Sequence, residues 1–236
     1  MRYFFCFSII FFISLTSFSQ NSYVNYNDSE NFELYNKLCP HLGGDSVRCC
    51  NGLKCVGQVR DYFTDGKLKH NGYYDQGKIV SVFTNYYRNG NIERSFIAKS
   101  ESRGNIKEFY TDGKMKSQGQ YLNGEMLKWE DYFENGFLEF SEEYNKSIEY
   151  HLYTHIYYED GTPKILFDLI NEKQRLYSYK EYYSNGKIEE EGNKIQNKST
   201  HDYQQDGTWN YYDESGKLIL KEEYIKGMLN NETKYQ

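Results

Sequence analysis

The sequence predicts an all-β protein, an elongated antiparallel meander of stacked β-hairpin repeats with a small Cys-rich N-terminal cap. Three observations carry that expectation. A module of two aromatics, a spacer, Asn or Asp, Gly, a polar residue and an aliphatic returns at near-constant spacing along the chain. Asn-Gly and Asp-Gly are the pairs that tight hairpin turns take, because Gly, Asn and Asp tolerate positive φ at little cost. The chain also holds 26 Tyr and 15 Phe but only 2 Pro, which suits a pleated surface that excludes the imino acid.

The module is clearest at Tyr182-Tyr183-Ser184-Asn185-Gly186-Lys187-Ile188. Its glycines are Gly66, Gly90, Gly113, Gly136, Gly161, Gly186 and Gly216, separated by 24, 23, 23, 25, 25 and 30 residues. That period is two strands and two turns. Further turns at Gly77, Gly124 and Gly227, each 11 residues after a module glycine, mark the half-period, so the meander is antiparallel throughout. A two-residue type I′ loop at Asn185-Gly186 sets Tyr183 opposite Ile188. By the same register Phe63 faces Leu68, Tyr87 faces Ile92, Tyr110 faces Met115 and Phe133 faces Leu138. The first aromatics, Tyr62, Tyr86, Phe109, Tyr132, Tyr157 and Tyr182, then alternate onto the other face, where they form a candidate binding face for a protein or glycan partner. This turn register also predicts that Gly113→Val damages the array more than Gly192→Val, since only Gly113 sits in the loop.

In chain order, residues 1–19 have a positive start at Arg2, an apolar run and small residues at Ser17 and Ser19, the pattern of a cleaved secretory signal. The run is shorter than the roughly 20 residues a membrane span needs, so no integral span is expected after cleavage. Residues 20–57 form the expected cap. Ser29 ahead of Phe32, Leu34, Tyr35 and Leu38 is placed to start a short helix, and the cap hides the first open sheet edge. It holds Cys39, Cys49, Cys50 and Cys55, for which export favours two disulfides. Adjacent Cys49 and Cys50 cannot bond without strain. Cys39–Cys49 with Cys50–Cys55, and Cys39–Cys50 with Cys49–Cys55, both remain open. Zinc held by His41 and thiols is the alternative, but no Cys-x-x-Cys spacing supports it. Residues 58–236 are the repeat array, interrupted by a polar exposed loop from Asn193 to Gln205.

Composition narrows function by exclusion. A net charge of −6 gives no electrostatic case for nucleic acid. Mean hydropathy of −0.88 is low for a deep core, which stacked repeats do not need. The Gly-Lys pairs are hairpin turns and lack the Ser or Thr and the preceding Gly of a phosphate loop. His151 and His155 are four apart on an expected strand, about 13 Å, too far to share a metal. Glu142-Glu143, Glu189 to Glu191 and Glu222-Glu223 read as solvated strand faces rather than as the paired acids of a hydrolase. The expectation is an exported protein, periplasmic or secreted, without enzymatic activity, metal or cofactor.

The run Tyr-Tyr-x-Asn-Gly-Lys-Ile-x-x-Glu-Gly, here Tyr182 to Gly192, resembles the bacterial variant of the MORN repeat, as found in proteins grouped under the YwqK-type antitoxin label. The resemblance implies an elongated antiparallel sheet of stacked hairpins. The phospholipid role associated with eukaryotic MORN proteins does not carry over, because the Gly-x-Gly-rich repeat is missing and the chain is acidic. For an exported chain the antitoxin label implies an immunity role against a toxin met in the cell envelope.

Overall fold

The computed structural model describes residues 32–236, so the expected signal segment 1–19 and Ser29 lie outside the described residues. The expected cap helix is one turn, α1 (Glu33–Asn36), followed by a 3-10 turn at Pro40–Leu42. A small hairpin joins β1 (Cys49–Cys50) to β2 (Leu53–Lys54). The array then begins with β3 (Gly57–Tyr62), β4 (Leu68–Asp75), β5 (Lys78–Tyr86), β6 (Ile92–Ala98) and β7 (Arg103–Phe109). It continues through β8 (Met115–Leu122), β9 (Glu125–Tyr132), β10 (Leu138–Tyr144), β11 (His151–Tyr157) and β12 (Pro163–Asn171). It ends with β13 (Leu176–Tyr182), β14 (Ile188–Gln196), β15 (Tyr203–Tyr212), β16 (Leu218–Ile225) and β17 (Met228–Lys234). These 15 strands form one antiparallel sheet in which order in space is order in the chain.

The two edges of the meander use different turns. At the module turn the Gly186 amide donates to the Tyr183 carbonyl and the Tyr183 amide to the Lys187 carbonyl, both at 2.9 Å. Only Gly186 within that loop has positive φ, 80°. This is a three-residue loop with a left-handed glycine, not the two-residue type I′ loop. Asn185 explains the choice. Its Oδ1 accepts the Lys187 amide at 2.9 Å, a local closure that holds Asn185 itself at negative φ. The register therefore shifts by one: Tyr182 pairs with Ile188, Tyr62 with Leu68, Tyr86 with Ile92, Phe109 with Met115 and Tyr132 with Leu138, while Tyr157 meets Pro163. The expected pairs of Phe63, Tyr87, Tyr110, Phe133 and Tyr183 with those aliphatics do not form. Type I′ geometry lies at the other edge, where Gln76-Gly77, Asn123-Gly124 and Lys226-Gly227 all have positive φ.

Placing the second aromatic at the base of the loop gives it a lateral task. The hydroxyls of Tyr87, Tyr110, Tyr158 and Tyr183 donate to the carbonyls of Phe109, Tyr132, Tyr182 and Tyr212, one module further on, at 2.6–2.8 Å. Asn89, Asn135 and Asn185 likewise donate Nδ2 to carbonyls of the next turn. From Tyr87 onward the modules are thus tied to their successors through carbonyls at the strand ends and in the turns, as an array with nearest-neighbour stability requires.

The cap covers one sheet face instead of the open edge at β3. Phe32, Tyr35, Leu38 and Cys39 form one buried cluster with Tyr74, Ile79, Phe83, Phe96 and Ile106 of β4 to β7. That face carries fully buried rings whose exposure would cost more than an open hydrophilic edge. The Ile79 amide donates to the Leu38 carbonyl at 2.8 Å, and Arg48 grips Asp61 through two hydrogen bonds of 2.7 and 2.6 Å. One disulfide, Cys50–Cys55, is present in place of the expected two. Cys39 turns into the core and Cys49 points outward, so neither reaches a partner. Burial pushes the Cys39 thiol up to about 12.

His70 sits at the centre of the cap interface. Tyr35 stacks on it at 3.9 Å, Nδ1 lies 2.7 Å from Asn85 Oδ1, and Nε2 lies 3.0 Å from the Tyr74 hydroxyl. Burial lowers its pKa from 6.5 to about 4. An unfolded chain takes up that proton first as pH falls from 6.5 to 4, so His70 withdraws stability over that window. Glu93 acts oppositely. Burial pushes its carboxyl up to about 7, giving stability at low pH that is lost as pH rises through that value. The His70 imidazole should therefore remain neutral at pH 5.5 in nuclear magnetic resonance titration of the folded protein. A midpoint near 6.5 would show that the cap does not seal it.

Candidate functional site: the uncovered half of the capped face

Cross-strand pairing defines one continuous row on the capped face. It runs from Asp61 through His70, Asn85, Arg94, Glu108, Ser117 and Asp131 of the covered half. It continues through Phe140, Ile156, Ile165, Glu181, Glu190, Tyr211 and Leu220. The cap ends over β9. From β10 to β16 the same face is left without a second layer among the described residues.

The rings here pack partly on one another. Phe167 stacks on Tyr177 at 4.5 Å, and Tyr203 meets both edge-on at 5.0 and 5.1 Å. Tyr179, Trp209 and Tyr211 lie side by side, with centroids 5.5 and 6.3 Å apart. Tyr177 and Trp209 are buried, so the face closes a second small core of its own. Trp209 can lie flat because Gly192 is beneath it: a Cβ there would fall 2.4 Å from the indole. Gly119 beneath Trp129 and Gly104 beneath Phe96 repeat the device.

Around these rings stand carboxylates. Glu142, Glu181, Glu190 and Glu222 project from this face, and Glu181 and Glu190 are direct cross-strand neighbours. Tyr179 donates to Glu181 at 2.7 Å and Tyr224 to Glu222 at 2.8 Å. Burial, then the charge of Glu181, raises the pKa of Glu190. Lys194 is the cation over these rings. Its Nζ lies 3.7 Å from the Tyr179 ring centroid and 5.6 Å from that of Trp209. Burial lowers its pKa, against the opposing charges of Glu190 and Glu181. A groove of about 540 Å³ opens beside it, bounded by Glu190, Tyr203, Gln205, Trp209, Lys226 and Met228.

The first aromatics expected to form a binding face, Tyr62, Tyr86, Phe109, Tyr132, Tyr157 and Tyr182, lie on the opposite face in a stripe beside the module turns. Tyr62 is exposed and the other five are half-buried against their aliphatic partners. Charges on that face neutralise one another, as in Lys128 with Glu130 and Glu143, Lys180 with Glu191, and Lys221 with Glu223. All seven module glycines have positive φ. His151 approaches Glu142 and His155 approaches Asp168, on opposite faces. Among the described residues no three His, Cys, Asp or Glu converge as metal ligands, and no helix is long and apolar enough to cross a membrane. Sequence reasoning missed the platform of Tyr179, Trp209 and Tyr211. The available signal was glycine inside strands, at Gly104, Gly119 and Gly192, where close approach is its usual reason.

Comparison with solved structures finds a crystal structure of TarM, 13% identical over 49% of this chain and 20% of that chain, with a TM-score of 0.28. A mutant of S. aureus TarM in complex with Fondaparinux, alpha-GlcNAc-glycerol and UDP is 12% identical, with the same coverage and TM-score. The aligned region spans a fifth of those chains, and a likeness at that level carries no argument. No curated protein matches. The family model of the MORN repeat variant matches residues 103–123, 178–193 and 205–226, which fall on the hairpins β7–β8, β13–β14 and β15–β16. MORN repeats are in general modules that bind proteins or membranes, and three hairpins of this meander are similar to their variant form.

Proposed function

We propose that the protein is an exported, non-catalytic scaffold that binds a protein partner through the uncovered half of its capped face. The observation that carries this reading is the coincidence there of half-exposed Tyr rings with Glu142, Glu181, Glu190 and Glu222. Aromatic surface of this kind is enriched in interfaces. The carboxylates select a partner that presents basic residues, and the chain's net charge of −6 acts in the same direction. Export is supported by the signal-like pattern of residues 1–19. Immunity is the special case in which the partner is a toxin, and the identity of the bound protein decides it.

The test uses two double variants with equal charge change. Glu181→Lys with Glu190→Lys alters the proposed face, and Glu143→Lys with Glu191→Lys alters the opposite one. The first should lose roughly tenfold or more of the partner captured from the native secreted fraction, while the second keeps it. Equal losses, or loss only in the second, would overturn the assignment.

A further inference from the structure

Lys194 lies where the partner's own cation would be expected to lie. Its ammonium rests over Tyr179 and Trp209, within the electrostatic reach of Glu190 and Glu181, yet no carboxylate is within 4.0 Å of Nζ among the described residues. An ammonium held by ring faces and by more distant charge, without a direct ion pair, is held weakly. Its strand position explains its reach: Lys194 pairs with Tyr177, one side-chain step from the Gly192 opposite Tyr179. The absence of a side chain at Gly192 lets the Trp209 indole lie flat on the strand, and the ammonium of Lys194 stands over the platform so formed.

We propose that Lys194 is an internal plug in a primary-ammonium subsite, and that a lysine side chain of a basic protein partner displaces it on binding. This rests on the proposed partner face and names the chemistry recognised there. The platform of Tyr179 and Trp209 supplies the ring faces, Glu190 and Glu181 supply the opposing charge, and the adjoining groove of about 540 Å³ supplies the path by which the incoming side chain enters. Lys194 then swings into water, which its flexible stem allows. The occupant is cationic because Glu181, Glu190 and Glu222 on this face outnumber Lys194 and Lys226, and displacement of Lys194 leaves that excess unbalanced. A partner that instead offered carboxylates would meet Glu181 and Glu190 at the same spot.

Poly-L-lysine and n-butylammonium serve as probes at constant ionic strength, with binding followed by the Trp209 indole resonance. Lys194→Ala should bind both about tenfold more tightly than the native chain, because the competing internal ammonium is gone. Lys180→Ala makes the same charge change on the opposite face and should leave both affinities within about twofold. Adding Glu190→Gln to Lys194→Ala should reverse most of the gain. Equal strengthening by Lys180→Ala would reduce the effect to net charge and overturn the proposal. So would binding of poly-L-glutamate by the native chain that is lost in Lys194→Ala, since Lys194 would then be a receptor for anions. The n-butylammonium result does not depend on any captured protein. Failure of the partner face is therefore distinguishable from failure of the subsite.

Discussion

Gly192→Val is expected to destabilise the array by about 3 to 5 kcal/mol, the loss typical of dislodging a large buried aromatic. A Cβ at Gly192 would lie 2.4 Å from the Trp209 ring, which is 1% exposed and cannot move without breaking the hydrogen bond from its Nε1 to the Asn193 carbonyl. Gly113→Val, which sequence reasoning ranks as the worse change, meets nothing nearer than 3.9 Å. It suffers only its φ of +88°, at about 1 to 3 kcal/mol. The order of the two therefore reverses. Denaturation midpoints of the two variants check it, and a thermodynamic cycle identifies the cause. In a Trp209→Ala background the cost of Gly192→Val should shrink by about 1 to 3 kcal/mol. An unchanged cost would place the strain in the backbone instead of under the ring.

Arg48→Ala is expected to release the cap, at about 3 to 5 kcal/mol. The Arg48 and Asp61 side chains are each 11% exposed, and the guanidinium binds both carboxylate oxygens. Burial alone would raise the Asp61 pKa, but the hydrogen bonds and charge of Arg48, with the Tyr35 hydroxyl at 2.8 Å, hold it below the usual range. Removing Arg48 strands a buried carboxylate. Replacing both partners, as Arg48→Met with Asp61→Asn, should cost less than Arg48→Ala alone. The readout is Cys39, which is fully buried between the cap and the sheet. It should react with a thiol reagent in folded Arg48→Ala and stay protected in the native chain, where Cys49 alone among the described cysteines reacts. Continued protection of Cys39 would show that apolar packing holds the cap without the ion pair.

The all-β class, the antiparallel order and the module period were legible because turn chemistry is local: each module Gly, after Asn, Asp or Ser, marks its own reversal, whereas Asn71-Gly72 and Asp206-Gly207 lie inside strands. The register was not. Asn185 serves a type I′ loop with positive φ and a three-residue loop with negative φ equally well, and the difference of one residue exchanges the faces of every ring in the module. Hence Tyr182 pairs with Ile188 and Tyr183 ties the next turn. The cap's composition was readable, but its resting place depended on which face of β4 to β7 gathered Phe83, Phe96 and Ile106. Cysteine count and export suggested two disulfides, whereas the turn into the core at Cys39 is set by packing that no spacing reports. The candidate face escaped for the same reason. Tyr179, Glu190, Lys194 and Trp209 belong to three strands and converge only once the register is known.

Hydroxyl-radical footprinting of the exported chain, alone and bound to its captured partner, tests the central claim most directly. Oxidation of Tyr179, Tyr203, Tyr211 and Tyr224, on the uncovered face, should fall on binding, while Tyr62, Tyr73 and Tyr132 are oxidised as before. Protection of Tyr62, Tyr73 and Tyr132 with Tyr179 and Tyr211 unchanged would contradict it and move the partner to the opposite face.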